Sequence, residues 1–375
     1  MSTTAHINQR LHGLDTLRAF AIVIVLLYHY MVAVSGEETF GYITAIGWMG
    51  VDLFFVLSGY LIGNQLLSAI AKREEFSLKR FYIRRLLRTL PNYYVVLLLY
   101  FLFPAELTGK TSSPLWQFLT FTQNFDLRPG ATFSHSWSLC VEEQFYLLFP
   151  LIFIALAQSK HFVKLAWLTL AVGMLLGLGL RFDAWYSYGE SAINWQDFYK
   201  HIYYSSLTRF DELLPGIALA LLKNFHQKQF QYLLKHANRI FWVGLLAISI
   251  MMYLFPHFHF TDEHGMNLWL STFGYSCVAI SFSLLVLSSL SSESILGKVR
   301  IPGAMQIALW SYALYLIHRP VFKLLIEPLN HLQIDVKGAL GVSIVMSLSV
   351  LAAYLLYLLV ETPFMRLRSR HFPHN

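Results

Sequence analysis

Basic side chains recur where an apolar sequence should exclude them. In LDTLRAFAIVIVLLYHY, Leu14 to Tyr30, Arg18 stands near one end and His29 near the other. Eleven helical steps of about 100° make roughly three turns, so both side chains project from one face, about 16 Å apart. A guanidinium is a fixed cation with a fork that fits phosphate, and a neutral imidazole takes up a proton near pH 7. A pocket that grips a long ligand would use such a pair; taken singly, Arg18 also fits the flanking charge of a first span and His29 a satisfied interior histidine. A second group, Arg84, Arg85 and Arg88 in SLKRFYIRRLLRTLPNYY, adds forks for phosphate ahead of Pro91, which is expected to end the cluster. A third stretch, SHSWSLCVEEQFYLLFP, gathers His135, Trp137, Glu142, Glu143 and Tyr146. An indole face stacks on a pyranose ring and carboxylates accept hydroxyl hydrogens, so Trp137, Glu142 and Glu143 are read as acceptor-binding residues. The competing role for either glutamate is to pair with a buried base such as Arg209. TRFDELLPG supplies Arg209, Asp211 and Glu212, and SYALYLIHRPV supplies His318 and Arg319.

The elements that position these residues are set by the solvent. With 56% hydrophobic and 13% charged residues and a mean hydropathy of +0.51, the chain reads as an integral membrane protein. Apolar windows give about ten candidate spans, near 14–34, 43–67, 89–106, 142–158, 163–181, 207–223, 240–256, 267–290, 305–327 and 339–360. The expectation is an all-α polytopic helical bundle. Lysine and arginine gather in the segments that are cytoplasmic if both termini are, which is the positive-inside pattern. The net charge of +7 sits in Lys72 to Arg88, Lys223 to Arg239 and the tail MRLRSR. Beside an anionic leaflet such loops serve topology and contact membrane lipids, and nucleic acid is not the expected partner. The first apolar run has no small-residue cleavage site behind it and reads as a retained span. In the second span, Gly47, Gly50, Gly59 and Gly63 recur at spacings that let another backbone, or a ligand, come close. The segments 104–139 and 181–206 are external, rich in aromatics and expected at the interface. Cys140 and Cys277 offer no disulfide framework, and Cys140 reads as packing. His257, His259 and His264 in PHFHFTDEH lie in an external loop without metal-ligand spacing, and no metal is expected.

Taken in order, these stretches are similar to the membrane-bound acyltransferase-3 family: arginine, ten residues, histidine in the first span; GVDLFFVLSGYLI in the second; RRLLR before a proline; WSLCVEEQFYLLFP; TRFDELLPG; SYALYLIHRPV; and ETPFMR. The resemblance covers nearly the whole chain. It implies a ten-span enzyme of the bacterial inner membrane that moves an acyl group, most often acetyl from acetyl-coenzyme A, onto a sugar hydroxyl of lipopolysaccharide, exopolysaccharide, peptidoglycan or a glycoside. It makes His29 and Arg18 the catalytic pair and Arg85 with Arg88 the donor-binding pair. Some members carry a fused extracytoplasmic hydrolase-like domain; here residues 1–375 read as one membrane domain without it.

The physics agrees. The thioester of extended coenzyme A lies on the order of 15 to 20 Å from its phosphates, close to the Arg18–His29 separation expected from helix rise. His29 is the expected general base, with a covalent acyl-histidine as the variant. Intramembrane ionisable residues also mark transport paths, so a transporter or flippase of a glycan or lipid intermediate is the alternative, although related halves and paired broken helices are not apparent.

Overall fold

A computed structural model describes residues 12–188, 195–261 and 265–372; His264 lies outside them. In a bilayer every backbone polar group must be satisfied within the chain, and the apolar runs answer this as helices. Eleven carry the architecture: α1 (His12–Tyr30), α2 (Met49–Lys72), α3 (Leu78–Leu102), α4 (Trp137–Ala157), α5 (Phe162–Tyr188), α6 (Leu214–Phe225), α7 (Ala237–Phe258), α8 (Tyr275–Ser289), α9 (Ala304–His331), α10 (Ala339–Leu356) and α11 (Thr362–His371).

Among the described residues seven helical stretches are long and apolar enough to cross a membrane: His12–Ser35, Met49–Lys72, Ser134–Ala157, Phe162–Tyr188, Ala237–Phe258, Leu270–Ser289 and Ala339–His371. The protein is a multi-pass, all-α membrane protein, with one two-residue strand pair, Phe260–Thr261 and Gly265–Met266, among the described residues. The other three expected spans are helical but of different character. α3 carries Lys79, Arg80, Arg84, Arg85 and Arg88, and α9 carries Arg319, Lys323 and Glu327. α6 has only 12 residues, about 18 Å of rise. It follows a short helix, Ser206–Arg209, and a tight turn, Phe210–Leu213. Pro91 follows the arginine cluster without ending the helix; it sits inside α3. The Ser77 hydroxyl caps that helix by accepting from Arg80 N at 3.2 Å, so helix begins well before the apolar run and takes the arginines with it.

α1, α2 and α8 form the interior, α9 packs along α1 and α10, and α5 and α7 lie outside. Gly47, just before α2, and Gly50 and Gly59 within it face protein backbone. A Cβ on Gly47 or Gly50 would strike α1 carbonyls, and one on Gly59 would overlap the Leu213 carbonyl oxygen. Gly216 of α6 in turn faces the Val56 carbonyl, so α2 and α6 cross backbone to backbone. Gly59→Val is expected to abolish folded protein in the membrane, read as loss of a monodisperse detergent-solubilised peak. Normal yield would show that the crossing tolerates side chains.

Two buried ion networks hold the break before α6. Arg181 of α5 makes a double contact to Asp211, at 2.6 and 2.8 Å, and also reaches Ser276 and the Thr272 and Thr208 carbonyls. Arg209 pairs with Glu212 and with Asp52 of α2 at 3.0 Å. Such forks satisfy buried charges geometrically, and removing one partner would leave the other uncompensated.

Candidate active site

α1 places Arg18 and His29 on one face, as its period demands, but in two different cavities. Their volumes are about 80 and 150 Å³.

The first cavity holds the charges. Arg18 meets Arg85 and Arg88 of α3, with Glu142 and Glu143 of α4 and Ser311, Tyr312 and Tyr315 of α9 completing it. Arg85 lies with its guanidinium carbon 3.7 Å from the Tyr146 ring centroid and its Nη2 4.0 Å from Glu142 Oε2, which accepts from the Tyr146 hydroxyl at 2.5 Å. The Arg85 Nε is buried without a hydrogen-bond partner. An orphaned guanidinium N–H beside two further arginines is a donor set awaiting an anion. Arg84 lies apart: its guanidinium donates to the Phe372 carbonyl at the end of α11.

The second cavity holds the histidines. His29 is half-buried, and His135 and His318 lie beside it, with ring centroids 6.1 and 4.9 Å away. The hydrogen bonds assign the protons. His318 Nδ1 lies 2.9 Å from the Leu314 carbonyl, one turn back on α9, so it must be the N–H. In a neutral ring His318 Nε2 is then an acceptor. His29 Nδ1, 2.9 Å from that atom, must donate to it. The proton count leaves the lone pair on His29 Nε2, the tautomer a general base needs. His135 Nε2 is spent on the Leu316 carbonyl at 3.1 Å, and its buried Nδ1 has no partner. Among the described residues no group of three or more metal-ligating side chains converges.

Aromatic rings make the remaining wall: Tyr28, Trp48, Trp137, Tyr199, Tyr203 and Tyr204. The Arg209 guanidinium lies 5.0 Å from the Trp137 ring centroid and 4.8 and 4.2 Å from those of Tyr203 and Tyr275, which fixes this wall from behind. Pro129, Gly130 and Ser134 from the segment before α4 close the cavity, Ser134 accepting from Arg319 at 2.9 Å. Thus residues of both segments expected at the interface, Pro129, Gly130 and Ser134 in one and Tyr199, Tyr203 and Tyr204 in the other, line the histidine cavity. Lys200 ties the two segments by donating to Asp126 at 2.5 Å, and this bond holds the Asp126 carboxyl below its ordinary value. The tie is therefore present at neutral pH and lost as pH falls through that lowered value.

Compared with the sequence reading, Arg18, Arg85 and Arg88 meet, while Arg84 does not join them. The acceptor trio divides: Trp137 lies with His29, whereas Glu142 and Glu143 lie with the arginines. The reason is helix phase. α4 begins at Trp137, and five residues turn Glu142 by about 140° and raise it by about 7.5 Å. Nor does either glutamate pair with Arg209, whose carboxylates are Asp52 and Glu212. The close approach of His318 and His135 to His29 was not read from sequence; the signal was two more histidines in apolar stretches. Cys140 is buried, with its thiol toward the Ser136 carbonyl at 3.5 Å.

The family model described as an acyltransferase domain matches residues 11–358. "Putative O-acetyltransferase SACOL0978" of Staphylococcus aureus (strain COL) is 29% identical over 380 residues, covering 94% of this chain and 57% of that protein. "O-acetyltransferase OatA" of Staphylococcus aureus (strain NCTC 8325 / PS 47) is 28% identical over 375 residues, with the same coverage of 94% and 57%. The chain thus spans 57% of the length of these curated relatives. No solved structure matches it. A match running through both cavities and nearly every helix shows that this chain belongs to the acyltransferase-3 family.

Proposed function

We propose that the protein is an O-acyltransferase of the bacterial inner membrane, moving an acyl group, acetyl in the first instance, from cytoplasmic acyl-coenzyme A to a hydroxyl of a cell-surface polysaccharide or other glycan. Residues 1–375 act in this reading as one membrane domain of ten spans with both termini cytoplasmic. The observation that carries it is the pairing of cavities along α1: guanidiniums around Arg18, and His29 with aromatic rings three turns on. An anionic, elongated donor and a polyhydroxylated acceptor need these two environments, and they need them about a coenzyme A arm apart. The names of the two relatives, both O-acetyltransferases, point the same way.

Arg18, Arg85 and Arg88 bind the donor's phosphates, and the orphaned Arg85 Nε fits that role. Glu142 and Glu143 orient the guanidiniums, with Tyr146 held under Arg85 by Glu142. The acceptor stacks on Trp137, and its hydroxyl faces His29 Nε2. His29 removes the hydroxyl proton as the oxygen attacks the thioester carbonyl carbon. The C–O bond forms, the C–S bond breaks, and the thiolate leaves with the electron pair. The proton held on His29 Nε2 then passes to that thiolate, restoring the starting tautomer.

Membrane vesicles from producing cells, supplied with radiolabelled acetyl-coenzyme A on the cytoplasmic face, should incorporate label into carbohydrate; absence of incorporation and of thiol release would sink the reading. Arg85→Ala with Arg88→Ala should raise the apparent donor KM at least about tenfold, since each charge-assisted contact contributes about 1.5–3 kcal/mol. An unchanged donor KM in correctly inserted protein would remove the arginines from the donor site.

A further inference from the structure

The two cavities share a wall. Among the described residues Val51, 4% exposed, is the side chain that lines both. We infer that Val51 is the gauge that sets which acyl groups cross from the donor to the acceptor. This inference rests on the donor–acceptor reading above and deepens it to the acyl class.

Both neighbours of Val51 are pinned. Gly50 lies against α1, where a Cβ would strike the Ala21 carbonyl and Val25, and Asp52 is tied to the buried Arg209. The backbone at Val51 therefore has nowhere to retreat, and the space beside it depends on its side chain. The donor-side wall near this junction is equally fixed. The Tyr315 hydroxyl donates to the His135 carbonyl, so its single hydrogen is spent. The Ser138 hydroxyl, 2.7 Å from Tyr315 Oη, must therefore be the donor in that pair. This bonded pair joins α9 to the first turn of α4 and lines the arginine cavity next to Trp137, which lines the other.

A donor held by its phosphates at the arginines runs its arm toward this partition. Sulfur is then the last donor atom on the arginine side, and the acyl group is what must pass Val51 to meet an acceptor oxygen at His29. Acetyl adds one methyl beyond the carbonyl. Each further methylene competes for space with the Val51 isopropyl group, and an apolar pocket discriminates a single methylene by roughly 10- to 200-fold.

The test measures acetyl, propionyl and butyryl transfer by vesicles bearing wild type, Val51→Ala or Val51→Leu, with binding of free coenzyme A measured in parallel. Val51→Ala should raise the propionyl-to-acetyl ratio of kcat/KM about tenfold or more. Val51→Leu should lower it, losing propionyl before acetyl, and both should bind coenzyme A within about twofold of wild type. The leucine variant keeps the test decisive should the alanine variant fail to insert. An unchanged ratio in both, with wild-type acetyl transfer intact, would overturn the gauge and leave the transferase reading standing. Failure of wild type to move any acyl group would overturn both.

Discussion

Replacement of His29 by alanine is expected to abolish acyl transfer while leaving the amount of protein in the membrane near the wild-type level. The imidazole is half-buried, with Nδ1 bonded to His318 and Nε2 carrying the lone pair. In the proposed reaction its removal deletes the group that takes the hydroxyl proton, an effect worth about 10²–10⁴ in rate. The structural cost is one acceptor, His318 Nε2, left unpaired beside a cavity, about 1–3 kcal/mol against a bundle held by two buried ion networks. The measurements are label transfer from acetyl-coenzyme A and membrane yield from the same cells. Transfer above about a tenth of wild type would remove His29 from the base role. Loss of protein along with activity would make it a packing residue.

His318 carries the second large effect, as a positioning residue. Held with its proton toward Leu314, it can only accept from His29, and so it fixes the His29 tautomer. Without it nothing keeps the lone pair on Nε2. Partners that orient a reactive imidazole typically cost 10- to 100-fold or more when lost. His318→Ala is therefore expected to lower kcat about 10- to 100-fold with little change in donor KM, and to displace the acid limb of the pH–rate profile. His318→Gln, whose amide oxygen can still accept from His29 Nδ1, should recover part of the rate. A fully active alanine variant, or a glutamine variant no better than alanine, would show that His318 only fills space.

What the sequence disclosed and what it withheld divide along one line. Arg18 and His29 were legible as a pair because one helix carries both and its period is known. The α2 glycines were legible as sites of close approach, yet their partners, Leu213 and the carbonyls of α1, lie on other segments. Trp137 and Glu142 looked like one patch because they are close in sequence; the helix start at Trp137 put them in separate cavities. Arg84 looked equivalent to Arg85 until α11 supplied the Phe372 carbonyl. The contact between His29 and His318 spans 289 positions and is written in no local pattern. Local periodicity fixes direction on a helix; it does not say which helix stands opposite.

The Leu314 carbonyl has a consequence for where a proton can go. A proton can move along a row of imidazoles only if each ring releases on one side what it gains on the other. His318 cannot: the carbonyl facing its Nδ1 has no basicity to spare, so that hydrogen stays, and the row ends there. In the proposed reaction the proton lifted from the acceptor therefore has one exit, back through His29 Nε2 to the departing thiolate. On that proposal the transfer is proton-neutral within the site: what His29 takes from the acceptor it returns to the thiolate, and nothing is handed along the row beyond His318.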